Sequence, residues 1–324
     1  MDKKTKQLLL GIGAAMGAAA LGGFYLYTAQ KLIDTALNRK LPKAMERGSA
    51  RIAGELPEFM KNIAEAGAAL AAKPLETVTV TSHDGLLLVG HWYCPPNPRR
   101  VIVAMHGWRS NWAQDFGLIA PFWAENGCAV LYAEQRGQGN SGGEHMSFGL
   151  LERYDCLEWI RWAEQKTGGA LPLYLGGISM GATTILMTAG FELPPCVKGI
   201  VADCGFTAPH AIWKHVVERN LHLPYGIYAA AAKNISQKKL KIPIHSYSCP
   251  EALKHCTVPV LFIHGTDDRF VPVSMTYENY KACEAPKRLL VIPGAGHGMS
   301  YPTDPDTYQK EVLRFWAENE DENP

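Results

Sequence analysis

Residues 171–185 read Leu-Pro-Leu-Tyr-Leu-Gly-Gly-Ile-Ser-Met-Gly-Ala-Thr-Thr-Ile, and within them Gly177-Ile178-Ser179-Met180-Gly181 decides how the rest of the chain is read. The apolar run Leu171–Leu175 predicts a strand, and a helix is expected to open near Ala182. A serine between a strand and a helix, with glycine two residues away on either side, has the form of a nucleophile elbow. The turn is so tight that side chains at the two glycine positions would strike the neighbouring strand and helix. The serine then projects at the carboxyl end of a strand and at the start of a helix. There the helix amides favour a developing oxyanion. The pentapeptide is short, and its weight comes from this setting.

Working outward, short apolar runs alternate with helical stretches. The runs are Val101–Met105, Ala129–Ala133, Leu171–Leu175, Val197–Ala202, Val258–Ile263 and Leu289–Ile292, preceded by a hairpin of Thr77–Thr81 and Leu86–Tyr93 around His83-Asp84-Gly85. Continuous Val/Ile/Leu runs separated by helices predict an α/β fold with a mostly parallel sheet covered on both faces. Helix ends are marked by Ser147 as a cap ahead of the helix leading to Trp159, Gly127 as a stop, and Asp304-Pro305 as a start. The last helix carries Tyr308, Val312, Phe315 and Trp316 on one face. Between about 206 and 256 the alternation lapses. That stretch, with Trp213, Tyr225, Tyr228 and Tyr247, reads as a helical cap inserted over the strand ends.

A serine hydroxyl is a poor nucleophile near neutral pH and needs a base. Of eleven histidines, His297 follows the last strand in a glycine-bearing loop that lets its ring fold back toward the elbow. His264 and His106 lie at strand ends and read as structural or supporting residues. The acid should follow a strand between serine and base. Asp268 is preferred on the spacing Gly265-x-x-Asp268-x-x-Val271, with Asp267 and Asp203 as alternatives. The order Ser179, Asp268, His297 is the one expected when this triad sits on an α/β sheet.

The charge balance is 32 basic against 31 acidic residues, a formal +1, without a basic stretch that would support nucleic-acid binding. Eight cysteines are dispersed from Cys94 to Cys283 and read as small core residues that leave the redox compartment undecided. They form no C-x-x-C and no zinc-like spacing, so neither metal nor cofactor is expected. Between Gln7 and Gln30 no charged residue occurs, about the length a bilayer-spanning helix needs. Residues 1–30 are therefore expected to be a single-pass membrane anchor. The alternatives are a cleaved signal, with Ala18-Ala19-Ala20 as a small-residue site and a secreted product, or a buried helix. Lysines and arginines flank both ends, so the side of the membrane stays open. Residues 31–74 read as a helical arm and 75–320 as the catalytic domain.

With these residues on the page, the chain from about 76 to 318 resembles the α/β-hydrolase family. His106-Gly107-Trp108 matches its oxyanion loop. The stretch 134–142, Glu-Gln-Arg-Gly-Gln-Gly-Asn-Ser-Gly, matches its D-x-R-G-x-G-x-S-x-G loop, departing at Glu134 where aspartate is usual. His264-Gly265-Thr266-Asp267-Asp268 and Gly296-His297-Gly298 match the acid and base loops. The set is similar to a membrane-anchored branch whose members also resemble acylaminoacyl-peptidase and prolyl-oligopeptidase catalytic domains. The resemblance implies a serine hydrolase with Ser179, Asp268 and His297 as triad, and Met180 and Trp108 N–H groups as oxyanion donors. It implies a small acyl ester as substrate, or else a short peptide or amide. A non-catalytic, membrane-tethered binding module is the third reading, disfavoured because serine, acid, base and both elbow glycines are all present.

Overall fold

The computed structural model describes residues 22–40 and 58–320. Eight strands form one sheet. They are β1 (Glu76–Thr81), β2 (Leu87–Tyr93), β3 (Arg100–Met105), β4 (Cys128–Ala133), β5 (Leu173–Ile178), β6 (Val197–Asp203), β7 (Val260–Gly265) and β8 (Lys287–Ile292), in the order β1-β2-β4-β3-β5-β6-β7-β8. The hairpin β1–β2 and the β2–β4 pair are antiparallel, and every pairing from β4 to β8 is parallel. Each predicted run supplies one strand, so the expected α/β-hydrolase architecture is the one observed.

The boundaries shift where backbone chemistry intervenes. β5 starts after Pro172, which has no N–H to give a ladder; the Pro172 carbonyl instead accepts from Val101 N at 2.8 Å. At its other end β5 runs on through Gly176-Gly177 to Ile178, paired with β6, and delivers the chain directly into the elbow.

β3 and β4 are buried at every residue, which is why their sequences are continuously apolar rather than alternating. On one face Trp159 and Ile160 of the helix Glu152–Thr167 pack with Ile185 and Leu186 of the helix Met180–Thr188. On the other, Phe116, Phe122, Trp123, Phe315 and Trp316 pack over Tyr132 and Tyr174. Burying a side chain of this size contributes about 1.5–3 kcal/mol. Asp304 Oδ1 accepts from Thr307 N at 3.1 Å and Gly127 takes φ +70°, as their cap roles require. Ser147 is a correction. The helix begins at Glu152, and Ser147 Oγ accepts from Leu151 N (2.7 Å), a turn too early. Glu152 itself folds back to take Ser147 N (2.6 Å) and Gly149 N (2.9 Å), satisfying the amides ahead of the helix.

Between β6 and β7 lie the helices Pro209–His215, Tyr225–Leu240 and Cys249–Leu253, the first continuing into a π-helical turn Val216–Asn220. Ile212, Trp213, Ala232 and Leu240 from this excursion meet Met180, Phe206 and Val271 at the strand ends. Tyr247 does not join them; its ring lies 3.7 Å from the Arg153 guanidinium, on the flank. A helix over 22–37 completes this layer. Ala29, Ile33 and Leu37, four residues apart and so on one helical face, are all buried, Ile33 and Leu37 in the same cluster. Asp34 pairs with Lys239 at 3.0 Å, and the Tyr25 and Tyr228 rings are 5.3 Å apart. The charge-free segment Gln7–Gln30 lies outside the described residues as far as 21, and its last part is the start of this helix. Among the described residues no helix is long and apolar enough to cross a membrane. Of the cysteines, Cys94 is exposed and the other seven are buried and free, in keeping with small core residues.

Candidate active site

The elbow glycines are needed for space. A Cβ on Gly177 would stand 2.6 Å from the Gly181 carbonyl carbon, and one on Gly181 would stand 1.8 Å from the Met105 carbonyl oxygen. Between them Ser179 takes φ +57°, ψ −118°, a conformation that typically costs about 1–3 kcal/mol for a residue with a side chain. Two backbone bonds hold it there, Ser179 N to Asp203 O (2.9 Å) and Thr183 N to Ser179 O (3.0 Å).

His297 Nε2 lies 2.9 Å from Ser179 Oγ, and its Nδ1 lies 2.7 Å from Asp268 Oδ2. A ring nitrogen facing a carboxylate carries the proton, so Nδ1–H donates to Asp268 and the Nε2 lone pair is left for the serine hydroxyl. Asp268 sits in the loop after β7, its Oδ1 accepting from Phe270 N (2.9 Å) and Val271 N (2.8 Å). His264 Nε2 is 3.2 Å from Asp268 Oδ2 and 2.9 Å from Val271 O, two acceptors that fix its proton on that nitrogen. Burial pulls the Asp268 carboxyl upward, but bonding to His264 and His297 outweighs it and holds the group well below the usual carboxylate range. The histidine pair therefore keeps the acid charged despite its burial.

The two alternative acids are placed elsewhere. Asp267 is exposed and accepts from its neighbour Thr266 Oγ1 at 2.8 Å. Asp203, at the end of β6, accepts from Ser300 Oγ at 2.8 Å, and burial raises its pKa from 3.8 to about 6. Cys204 stands behind the triad with its thiol pushed up by burial and by Asp203 and Asp268. Ligand atoms of Cys204, Asp268 and His297 lie within 4.8 Å of one another, but the acid and base are already committed to each other. A second such group, His83, Asp84 and Asp155, has its carboxylates filled by the Arg136 guanidinium.

The other wall of the cleft is built by the loop after β3, the one expected to face an oxyanion. Gly107 N donates to Asp115 Oδ2 at 2.6 Å, and Ser110 Oγ donates to the same carboxylate. Trp108 Nε1 donates to Ala36 O at 2.8 Å. Arg109, at φ +53°, sends its guanidinium to Thr35 O (2.7 Å) and Asn38 O (2.6 Å), capping carbonyls at the end of the 22–37 helix. Phe270 stacks on Trp108 at 6.3 Å and reaches His297 at 5.0 Å. Asp115, Arg109 and Phe270 were not found from sequence. Asp115 alone left a signal, as a single acid in the apolar stretch 112–123. His106 is a structural residue, its Nδ1 2.9 Å from Gly107 O and its Nε2 accepting from Gln135 N. Glu134 is structural too, taking His91 Nε2 at 2.7 Å and Asn140 Nδ2 at 3.1 Å, so its departure from aspartate falls outside the reacting centre.

Ser179 and His297 open on a cleft of about 190 Å³ whose walls include Gly107, Trp108, Ile178 and Tyr301. A serine hydroxyl, an imidazole oriented by a buried carboxylate, and a helix N-terminus converge on one cleft, an arrangement compatible with acyl transfer.

The prolyl oligopeptidase family profile matches residues 114–322. Among curated proteins the chain is similar to the uncharacterized protein YqkD of Bacillus subtilis, 29% identical over 73% of this chain and 77% of that one. It is also similar to the uncharacterized protein YfhR of Escherichia coli K12, 24% identical over 74% and 80%. Among solved structures an esterase of Pyrococcus furiosus superposes with TM-score 0.60 at 21% identity, over 78% of this chain and 94% of that one. The acylaminoacyl peptidase of Pyrococcus horikoshii gives TM-score 0.56 at 17% identity, over 77% and 43%. These two superpositions speak to the fold, which is that of the α/β hydrolases. With the profile spanning most of the sheet and all three residues of the hydrogen-bonded chain, this protein belongs to the prolyl oligopeptidase family.

Proposed function

We propose that the chain is a serine hydrolase that cleaves carboxylic esters through an acyl-enzyme, with Ser179 as nucleophile, His297 as general base and Asp268 as the acid that orients it. The observation that carries this reading is the unbroken hydrogen-bond chain from Ser179 Oγ through His297 to Asp268. His297 Nε2 takes the hydroxyl proton as Oγ attacks the ester carbonyl. Asp268 stabilises the imidazolium, and its depressed pKa keeps it ionised while it does so. The oxyanion is assigned to Met180 N–H, at the first residue of the elbow helix, and to Trp108 N–H, next to the Gly107 amide that Asp115 occupies. One such donor is worth about 3 kcal/mol to the transition state. His297 then protonates the departing alcohol, and water, activated by the same base, releases the acid. No step asks for a metal or an organic cofactor.

Esters are preferred over peptides because the helical layer above the strand ends presents mainly apolar side chains, and segment 206–256 serves as the cap. The family match supports peptidase or amidase activity as the second reading. Steady-state kinetics on p-nitrophenyl esters and matched anilides separate the two. Ester turnover lost in Ser179→Ala, without measurable anilide cleavage, is expected. Comparable kcat/KM on the anilides would transfer the assignment to a peptidase. We infer that the chain meets a membrane through the part of the charge-free segment that precedes residue 22, since the rest of it belongs to the helix packed on the cap; the low charge of this stretch supports the reading. Full-length protein should resist extraction from membranes by alkaline carbonate, and release into the soluble fraction would remove the anchor.

A further inference from the structure

A second cavity, of about 130 Å³, lies between the helix over 22–37 and the helices Pro209–His215 and Tyr225–Leu240. Its walls are almost wholly apolar, among them Ala29, Ile33, Ile212, Val217 and Ala232. Two polar groups of the wall are engaged elsewhere. Thr35 Oγ1 donates to Lys31 O within its own helix, and Trp108 Nε1 donates to Ala36 O. Trp108 is common to this cavity and to the cleft that holds Ser179 and His297. Phe270, which also lines the cavity, is in ring contact with both Trp108 and His297. One end of the cavity therefore adjoins the reacting centre. The opposite end lies by Tyr228, and near it Phe24, Tyr27 and Ile227 are largely solvent-exposed.

Resting on the ester-hydrolase reading above, we infer that this cavity holds the unbranched alkyl chain of the substrate's acyl group, and that the N-terminal helix is one wall of the acyl site. An apolar cavity gains from burying methylenes and offers a polar group little. Its wall runs from Ala36, beside Trp108, to Ala29, a rise of about 10 Å along the helix. Ala36 therefore lies near the reacting end and Ala29 far from it. Arg109 and Trp108 clamp the helix end through Thr35, Asn38 and Ala36 carbonyls, so the same loop that forms the oxyanion side also fixes the depth of the acyl site.

The test is the chain-length profile of the full-length protein on p-nitrophenyl acetate, butyrate, octanoate and palmitate. In the wild type kcat/KM should rise with chain length. Ala36→Phe should lower it for octanoate and palmitate by about ten-fold more than for acetate, a discrimination ordinary for apolar pockets. Ala29→Phe should affect palmitate alone. Leu32→Ala, which enlarges the cavity, should move the preference toward longer chains, a gain that poor folding cannot produce. Losses shared equally by acetate and palmitate, a flat wild-type profile, or a profile untouched by all three substitutions would overturn the cavity assignment while leaving the ester reading standing. Absence of ester turnover at any length in the wild type would remove the ester reading and this assignment with it.

Discussion

The loops at the carboxyl ends of the strands and the helical layer laid across them are built on different principles. Each loop holds one chemical group by a short local motif. Gly177 and Gly181 allow the serine turn, and Asp268 is caged by the amides of Phe270 and Val271, two and three residues on. The layer above is held by contacts distant in sequence. Arg109 reaches Thr35 and Asn38, Lys239 reaches Asp34, and Trp213 packs with Ile33 and Leu37. Under the proposed function the contrast separates the part assigned the chemistry from the part assigned the choice of substrate, so substitutions in the two should differ in kind as well as in size.

The largest effects belong to the loops. Ser179→Ala and His297→Ala should each lower kcat by roughly a million-fold, with the two losses failing to add in the double variant because the residues act as one unit. Stopped-flow or long-time-course assays on a p-nitrophenyl ester would measure it, and additive losses would break the unit. Asp268→Asn should cost about 10⁴ in kcat with KM little changed, since the imidazole loses its oriented tautomer. A loss confined to KM would instead make Asp268 a binding residue.

The clamp between the two regions comes next. Arg109→Ala removes the guanidinium from Thr35 and Asn38 carbonyls, and each charge-assisted bond of this type is worth about 1.5–3 kcal/mol before water replaces it. The thermal midpoint should fall by several degrees and kcat by about ten-fold, because the oxyanion loop loses its anchor. Arg109→Lys should recover little of either, since an ammonium cannot reproduce the full donor set, Nη2 to the Thr35 and Asn38 carbonyls together with Nε to Thr35 O at 3.1 Å. Unchanged kcat in a protein with a lowered midpoint would confine Arg109 to holding the layer down.

The smallest effect concerns the second buried acid. Asp203 favours its proton when folded, with a pKa raised by burial from 3.8 to about 6. Its contribution to stability is full below the unfolded value and is lost as pH rises through about 6, a loss of at most about 3 kcal/mol. Asp203→Asn should flatten urea stability across this window and leave the protein more stable at neutral pH. Asp268 has the opposite sign, its stabilisation present above the ordinary carboxylate range and lost as pH falls through its depressed pKa. A wild-type stability that climbs steadily from pH 4 to pH 7, unchanged in Asp203→Asn, would contradict the assignment of Asp203 as the proton-holding acid.

The sheet was legible in the sequence because six apolar runs and a hairpin, with turn residues between them, admit few arrangements, and a serine between two spaced glycines marks a strand end. Of the residues that came together at that end, Ser179 and His297 were named from their setting and chain order, and Asp268 was preferred over Asp267 and Asp203 on its spacing and the likeness of its loop. What stayed hidden has a physical cause in each case. Arg109 carries no local signal, because its partners are backbone carbonyls some seventy residues away. Phe270 reads as an ordinary apolar residue until its ring is seen against His297. Ser147 looked like a helix cap because sequence does not show that Glu152 can satisfy the same amides from inside the helix. Tyr247 joined the cap on paper for its aromaticity, whereas cation–π contact with Arg153 draws it to the flank.

The central claim, that Ser179 is a nucleophile activated by His297, is tested most directly by fluorophosphonate labelling of the full-length protein followed by peptide mass spectrometry. A single adduct on Ser179, absent in Ser179→Ala and in His297→Ala, is the predicted result. A well-folded wild type that takes no label, or takes it on another residue, would contradict the account.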